Sequence, residues 1–452
     1  MKYPPMIFLS SFSSITKKLL IALGILLFLS CSIGLLEYLL YPLERGIPLI
    51  VYPKMFFSLK LSGSDAWGPM GIAFDHLKSS SPDSIYDKIF FGKITKFQYP
   101  LSSLLLYIPF RIIAQENIIN CLNFISWISI LATVYFVVKI FNKSCLDSGV
   151  EVENSSKKNQ IFQSLLLFSL SLIFYPIMRA FGIGQIQVWI NALFTISVWC
   201  WITNRKRETG FLVGVMCLIK PQYSLIFVWA LFRKQWGFVK AFTVTVFIGT
   251  SLSFLLFGVK NNLDYLKVLS FISRHGESFH ANQSINGILN RLLFNGDNLG
   301  FSHNSFPPFN IWVYTGTILT SLILVFYSLF RRVKTFSKGN TLDFFIICIT
   351  ATIASPVAWE HHYGITLGIY AFLFPPLLKT QNLSKPLLYL GISYMLSSQY
   401  FPIINRLTYN TLLNLLQSYL FFGGLMLLAY LYWIEICQTK SENALISNQN
   451  NQ

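Results

Sequence analysis

The sequence predicts an all-α, polytopic membrane protein with about ten to twelve membrane segments. Three observations carry that reading. Of 452 residues, 54% are hydrophobic and only 12% charged, with 42 Phe and 22 Tyr. A soluble domain carries roughly 25% charged residues, and a chain this poor in charge cannot clothe a water-facing surface of its size. The apolar residues fall in blocks long enough to cross a bilayer, which takes about 20 residues of helix. Basic clusters flank several of those blocks. A β-barrel would show short segments of alternating hydrophobicity, and none is visible.

The first block, Leu19 to Leu40, follows Lys17 and Lys18. Its apolar run is too long for a signal-peptide core and no small-residue cleavage site ends it, so it reads as an anchor helix. The clusters Arg205-Lys206-Arg207, Arg233-Lys234 and Arg331-Arg332 with Lys334 mark the cytoplasmic side, as do Lys2, Lys17 and Lys18. Parity then orders the crossings. Segment 19–41 exits, 42–98 is a long polar outer loop, 117–141 returns, 160–179 exits and 186–203 returns to Arg205. This holds only if 99–115, which is short and contains Pro109 and Arg111, is re-entrant or interfacial rather than spanning. Segments 210–219 and 221–232 are each too short to span and read as a half-depth hairpin, its tip at Lys220-Pro221 where proline breaks the helix. Segment 237–258 exits, 259–305 is a second long outer loop, 307–330 returns, 341–358 exits, 363–378 returns, 386–402 exits and 411–436 returns. Residues 1–437 thus read as one transmembrane domain and 438–452 as a disordered cytoplasmic tail.

The net charge of +17 is explained by Lys and Arg that collect in cytoplasmic loops and face anionic headgroups, and no nucleic-acid partner is inferred from it. The 7 Cys are scattered (Cys31, Cys121, Cys145, Cys200, Cys217, Cys348, Cys437) without CxxC or ligand-like spacing, so neither a disulfide framework nor a zinc site is expected. No internal repeat is visible, which weighs against transporter folds built from repeated halves. The two long loops, with the turns at Gly182–Gln187 and Ser355–Tyr363, all fall on one outer side. Loops of that length exceed what connection requires and point to chemistry there.

Asp65 sits in Gly63-Ser64-Asp65-Ala66-Trp67, shortly after the first membrane helix. A carboxylate at the membrane surface beside aromatic residues suits a general base, because desolvation and neighbouring charges tune its proton affinity; on position alone a solvated loop aspartate is the plainer reading. Lys220 lies between apolar runs, where an ammonium costs on the order of 3 kcal/mol or more without an anionic partner. That partner is either a substrate phosphate or a buried carboxylate. His361 and His362 follow Ser355-Pro356-Val357-Ala358-Trp359-Glu360. Adjacent histidines diverge on a helix and no HExxH spacing exists, so a lipid phosphate or a structural hydrogen bond is favoured over a metal. Arg179 precedes Gly182-Ile183-Gly184-Gln185-Ile186-Gln187, whose glycines either let backbone N–H groups approach a ligand or make a tight interhelical turn. Asn282-Gln283-Ser284 in the second loop also fits a glycosylation acceptor.

Taken in order, these residues resemble glycosyltransferase family 87 of the GT-C superfamily, which includes polyprenyl-phosphate-mannose-dependent mannosyltransferases. The resemblance rests on Asp65, on Tyr99-Pro100, on Gly184-Gln185 with Gly210 to Lys220-Pro221, on Asn282-Gln283-Ser284, and on Ser355-Pro356 through Trp359, His361 and His362. It departs from the family at Leu101, where a second proline is frequent, and in the Gln185-Ile186-Gln187 run, which lacks a frequent Asn. The resemblance implies a GT-C-like fold, a hexose (mannose foremost) carried on polyprenyl phosphate, a lipid or glycan acceptor, and an active site on the outer face of a membrane, a bacterial inner membrane fitting best. It implies that Asp65 activates the acceptor hydroxyl and that His361 or His362 holds the donor phosphate; Lys220 and Arg179 join them on electrostatic grounds. Tyr99, Gln185, Asn282 and Trp359 are the further substrate-binding candidates. No cofactor beyond the lipid-linked donor is expected, and the cations make a metal unnecessary. Competing classes are a secondary transporter or lipid flippase, expected to show repeat symmetry, and a polysaccharide ligase or polymerase, expected to carry its key His and Arg in one late loop.

Overall fold

A computed structural model of the chain describes residues 13–41, 53–57, 63–78, 84–113, 115–149, 156–331, 340–379 and 384–449. Lys2, Arg332, Lys334 and parts of the first outer loop, all used in the sequence reading, lie outside the described residues. The described residues are overwhelmingly helical and form no strand, only an isolated bridge between Asn282 and Trp359. Five of their helical stretches are long and apolar enough to cross a bilayer: Ser14–Leu40, Asn117–Asp147, Trp236–Phe257, Ile311–Phe330 and Leu412–Cys437. A sixth crossing forms if Lys157–Leu172 and Tyr175–Gly182, bent by 59° at their break, count as one. Pro176 lies in the first turn of the second of these helices, after the extended Phe174, a place where its missing N–H interrupts no helical hydrogen bond. The chain is an all-α polytopic membrane protein.

The spanning helices leave large apolar side chains such as Phe28, Phe247, Leu255 and Leu319 exposed. In water that would be costly; against lipid tails it costs nothing, since the tails are as apolar as the side chains. Shorter apolar helices, among them Gln187–Ile202 and Thr341–Ile353, are enclosed by protein instead. Every residue from Leu342 to Ile353 is buried. Residues 101–112 form two 3-10 helices, which at about 2.0 Å per residue reach only about 24 Å and so fall short of the ~30 Å hydrocarbon core.

Two compact units are assembled from interleaved stretches of chain. The first takes Met1–Trp67, Gln115–Trp199 and His361–Leu407; the second takes Gly68–Ala114, Cys200–Glu360 and Thr408–Gln452. In the first, the long Gln115–Asp147 helix lies along Thr366–Leu378, joined by a hydrogen bond from Ser144 Oγ to the Phe372 carbonyl at 2.6 Å. In the second, Thr341–Ile353 is the core, with Phe344 stacked on Trp201 at 4.5 Å.

Three features go beyond the sequence reading. The segment 259–305, read as the second long outer loop, holds the helices Val259–His275 and Ile285–Leu292. The last helix continues to Gln449, through most of the segment expected to be a disordered tail. Arg233, one of the basic residues read as marking the cytoplasmic side, is buried, and the Arg331 side chain is only 8% exposed. Both donate to the fully buried Asp343 carboxylate, at 2.8 and 2.6 Å, and Arg331 also forks onto both oxygens of Glu435 at 3.0 Å. An acid in the first turn of the Thr341–Ile353 helix thus gathers the two arginines into one ion-pair cluster, which the rule that basic residues flank spans does not foresee.

Candidate active site

Asp65 is held by a contact between two turns that are 120 residues apart in sequence. The Asp65 N–H donates to the Ile183 carbonyl at 2.9 Å and the Ala66 N–H to the Gly184 carbonyl at 3.1 Å. Each turn needs a glycine. A Cβ on Gly63 would lie 2.4 Å from the Ile183 carbonyl, and one on Gly184 only 2.0 Å from the Gly63 oxygen. Gly184 also has φ +68, the left-handed region that glycine adopts without strain. The close approach sets the Gln185 side chain on the carboxylate, with Nε2 donating to Asp65 Oδ2 at 2.5 Å. Gln185 is buried, whereas Asp65 is exposed.

The rest of the first unit steadies this pair. Trp67, itself buried, donates from Nε1 to Asn123 Oδ1 at 3.1 Å and leans on Trp189 with ring centroids 5.1 Å apart. Trp189 in turn donates to Ser126 at 3.0 Å. Arg179 is half-buried in the last turn of Tyr175–Gly182, and its carbonyl accepts from the Ile183 N–H at 3.1 Å. His361 and His362 are both buried in the 3-10 turn Glu360–Ile365, their ring centroids 4.9 Å apart. That turn is seated on the Gln187–Ile202 helix: a Cβ on Gly364 would lie 2.1 Å from Asn191 Nδ2. Asn191 Oδ1 accepts from Gln187 Nε2 at 3.0 Å. The first unit therefore carries Asp65, Arg179, Gln185, His361 and His362, and brings Gln185 onto Asp65.

Tyr99, Lys220, Asn282 and Trp359 belong to the second unit. Lys220 caps the Lys206–Ile219 helix in extended backbone, φ −136 and ψ 102, because the following Pro221 disfavours helix at the residue before it. Its side chain is buried. Ser102, just past Tyr99-Pro100, donates to the Leu218 carbonyl at 2.6 Å and ties the 3-10 segment to this break. Tyr99 itself is half-buried, and its carbonyl accepts from the Tyr86 hydroxyl at 2.7 Å.

Asn282 is fully buried and its amide serves the chain's own backbone. It donates to the carbonyls of Glu277 at 2.9 Å and Pro356 at 3.3 Å, and accepts from the Ala358 N–H at 3.0 Å. A glycan cannot be attached to an amide so placed. This loop is the brace on which half-buried Trp359 stands, its ring 5.8 Å from that of Phe301.

Several residues that matter here were not singled out from sequence. Gly63 and Asn123 act only through partners far along the chain. Arg291 is buried and grips the Asn282 and Phe279 carbonyls at 3.0 and 3.3 Å and Ser418 Oγ at 2.6 Å; burial pulls its guanidinium down to about 9. Lys96 pairs with Glu277 at 2.8 Å beneath the rings of Phe301 and Phe306, and burial holds the Glu277 carboxyl above its ordinary value despite that partner. Among the described residues no group of three or more His, Cys, Asp and Glu is placed to hold a metal ion.

A family model described as glycosyltransferase family 87 matches residues 97–384, well over half of the chain. The chain belongs to glycosyltransferase family 87. It is a membrane glycosyltransferase, and the family 87 match takes in every candidate named above except Asp65, which precedes it. No curated protein and no solved structure gives a match.

Proposed function

We propose that this family 87 protein transfers a hexose, mannose foremost, from polyprenyl phosphate to a hydroxyl of a lipid or glycan acceptor, inverting the anomeric centre, with Asp65 as general base. The observation that carries the reading is the pairing of a buried Gln185 amide with one oxygen of an exposed carboxylate. Gln185 engages Oδ2 and so orients Oδ1 toward the acceptor. As the acceptor oxygen attacks C1 of the donor sugar, its proton passes to Asp65, the new glycosidic bond forms, and the bond from C1 to the phosphate oxygen breaks. The electron pair leaves on polyprenyl phosphate, a stable monoester that needs no proton to depart. One displacement requires one base, and the remaining electrostatic need is cationic support of the departing phosphate.

Lys220, His361, His362 and Arg179 are the groups we assign to that support. Lys220 and both histidines are buried, where a charge acts at lower effective dielectric than in water. We place the reaction at the outer face of a bacterial inner membrane. The test is a transfer assay with purified protein and defined polyprenyl-phosphate sugars, comparing the native chain with Asp65→Ala and Asp65→Asn. Both variants should insert in the membrane normally and lose transfer. Substantial residual transfer by Asp65→Asn, which keeps the shape and the Gln185 contact without the base, would remove Asp65 from the mechanism.

A further inference from the structure

The Val259–His275 helix has two apolar faces, and the protein covers only one of them. On the covered side Asp264, Tyr265, Val268 and Ile272 are buried, with Tyr265 set against the segment 84–99. The Tyr265 ring lies 5.6 Å from that of Tyr86 and its hydroxyl donates to the Gln98 carbonyl at 3.2 Å. On the far side Val259, Leu263 and Leu266 recur at helical spacing and are 56%, 53% and 61% exposed. At about 100° per residue, Lys260, Lys267 and Arg274, all exposed, fall along one border of that stripe.

An exposed apolar stripe with cations on its border is how a helix lies in a membrane interface, apolar side chains toward the acyl boundary and ammonium groups among the phosphates. Its place in the chain agrees. Gly258, at φ +81, is the single residue between this helix and the end of the spanning Trp236–Phe257 helix. The last turn of that spanning helix still presents Leu255, 81% exposed, as a lipid-facing side chain does. The amphipathic helix therefore starts at the level where the bilayer ends.

We propose that the uncovered face of Val259–His275 is seated in the bilayer interface and that Lys260 and Arg274 engage anionic lipid headgroups. The covered face then holds the 84–99 segment at a set height above the lipid. Lys267 reinforces this, since it pairs with Asp264 at 2.8 Å and reaches Asp87 at 3.6 Å. The proposal requires only that the chain spans a membrane and is independent of the assignment of Asp65.

The test uses the full chain with exposed Cys31 and Cys437 replaced by Ser, and a bimane label on Leu263→Cys or, separately, on Leu266→Cys. The protein is reconstituted in phosphatidylcholine vesicles with and without phosphatidylglycerol. We expect lipid brominated near the headgroup end of its chains to quench both labels and aqueous iodide to leave them bright. Phosphatidylglycerol should deepen the lipid quenching, and Lys260→Glu with Arg274→Glu should abolish that increment. Quenching by iodide and not by bromolipid overturns the proposal in favour of a water-facing helix. Protection from both quenchers, with excimer emission from pyrene at the same positions, overturns it in favour of a second copy of the chain. An anionic-lipid increment that survives the charge reversals overturns the headgroup assignment.

Discussion

Gly184→Ala tests whether the contact between the two turns positions the carboxylate proposed as the base. A methyl at residue 184 would sit 2.0 Å from the Gly63 carbonyl oxygen, against a closest real approach of 3.0 Å, so the turns must part by about 1 Å. The backbone at φ +68 adds roughly 1–2 kcal/mol for a residue with a Cβ. Against a total stability of about 5–15 kcal/mol that is tolerable, and the variant should fold. Catalysis is less forgiving, since a misplacement of about 1 Å can cost on the order of a hundredfold in rate. Parting the turns stretches both backbone hydrogen bonds that hold Asp65 and Ala66 and pulls the carboxylate from Gln185. We therefore expect turnover, measured with a polyprenyl-phosphate sugar and purified protein, to fall by about two orders of magnitude while the thermal midpoint drops only a few degrees. Gly258→Ala is the control, because that glycine is also left-handed, at φ +81, but its added Cβ meets nothing within 4 Å. Its backbone, at φ +81 and ψ 150, is one that almost only glycine adopts, so the variant carries a backbone penalty of its own and should still keep its turnover. Near-native turnover by Gly184→Ala, or an equal loss by Gly258→Ala, would refute the reasoning.

Gln185→Ala frees the Asp65 carboxylate to rotate; turnover should fall by roughly tenfold to a hundredfold at unchanged KM, and Gln185→Asn, one methylene short, should not restore it. Asp343→Ala leaves Arg233 and Arg331 buried without the carboxylate they share, and should cost about 3–5 kcal/mol, read as a loss of folded protein or a large fall in thermal midpoint. Lys96→Met leaves the buried Glu277 without its ion-pair partner and should be strongly destabilising, whereas Lys96→Met with Glu277→Leu should return to within about 1 kcal/mol of native stability. The pH dependence of Lys96→Met follows from the raised Glu277 value. Folding takes up a proton there, so the stability it contributes is full below the unfolded carboxyl value of about 4.3 and is lost as pH rises through the folded one. With Lys96 gone the midpoint should climb as pH is lowered from 7, and a flat profile would contradict the buried, unpaired carboxylate.

Much of this molecule was legible from composition and run length, because lipid exposure leaves an unmistakable excess of apolar surface. Pro221 ends its helix by a rule of covalent geometry that holds whatever surrounds it, and the break at Lys220 was accordingly visible. What escaped notice depended on distant partners. Gly63 is an ordinary loop glycine until Gly184 is laid against it. Arg233 and Arg331 satisfy the expectation for residues flanking a span, and only the acid at 343, itself easily taken for a helix-start residue, turns them inward. The Val259–His275 helix was read as loop because apolar residues lie on both of its faces and polar ones between them, which blurs the periodicity that marks a helix with one buried side.

The family match leaves Asp65 unsupported, since it begins at Phe97. The link is geometric. Within the matched stretch, Gly184 is left-handed and presses on a glycine from before the match, and Gln185 ends on the carboxylate two residues later. A merely structural aspartate would be expected to share the burial of its partner, yet Gln185 is buried and Asp65 is exposed. One hydrogen bond to an exposed carboxylate adds little to stability, on the order of 1 kcal/mol, so its effect is to orient. An acceptor hydroxyl must reach the base from the aqueous side while the base keeps one direction relative to the anomeric carbon. An exposed carboxylate pinned through one oxygen meets both demands, and that pairing is the reason for proposing that Asp65 takes the proton.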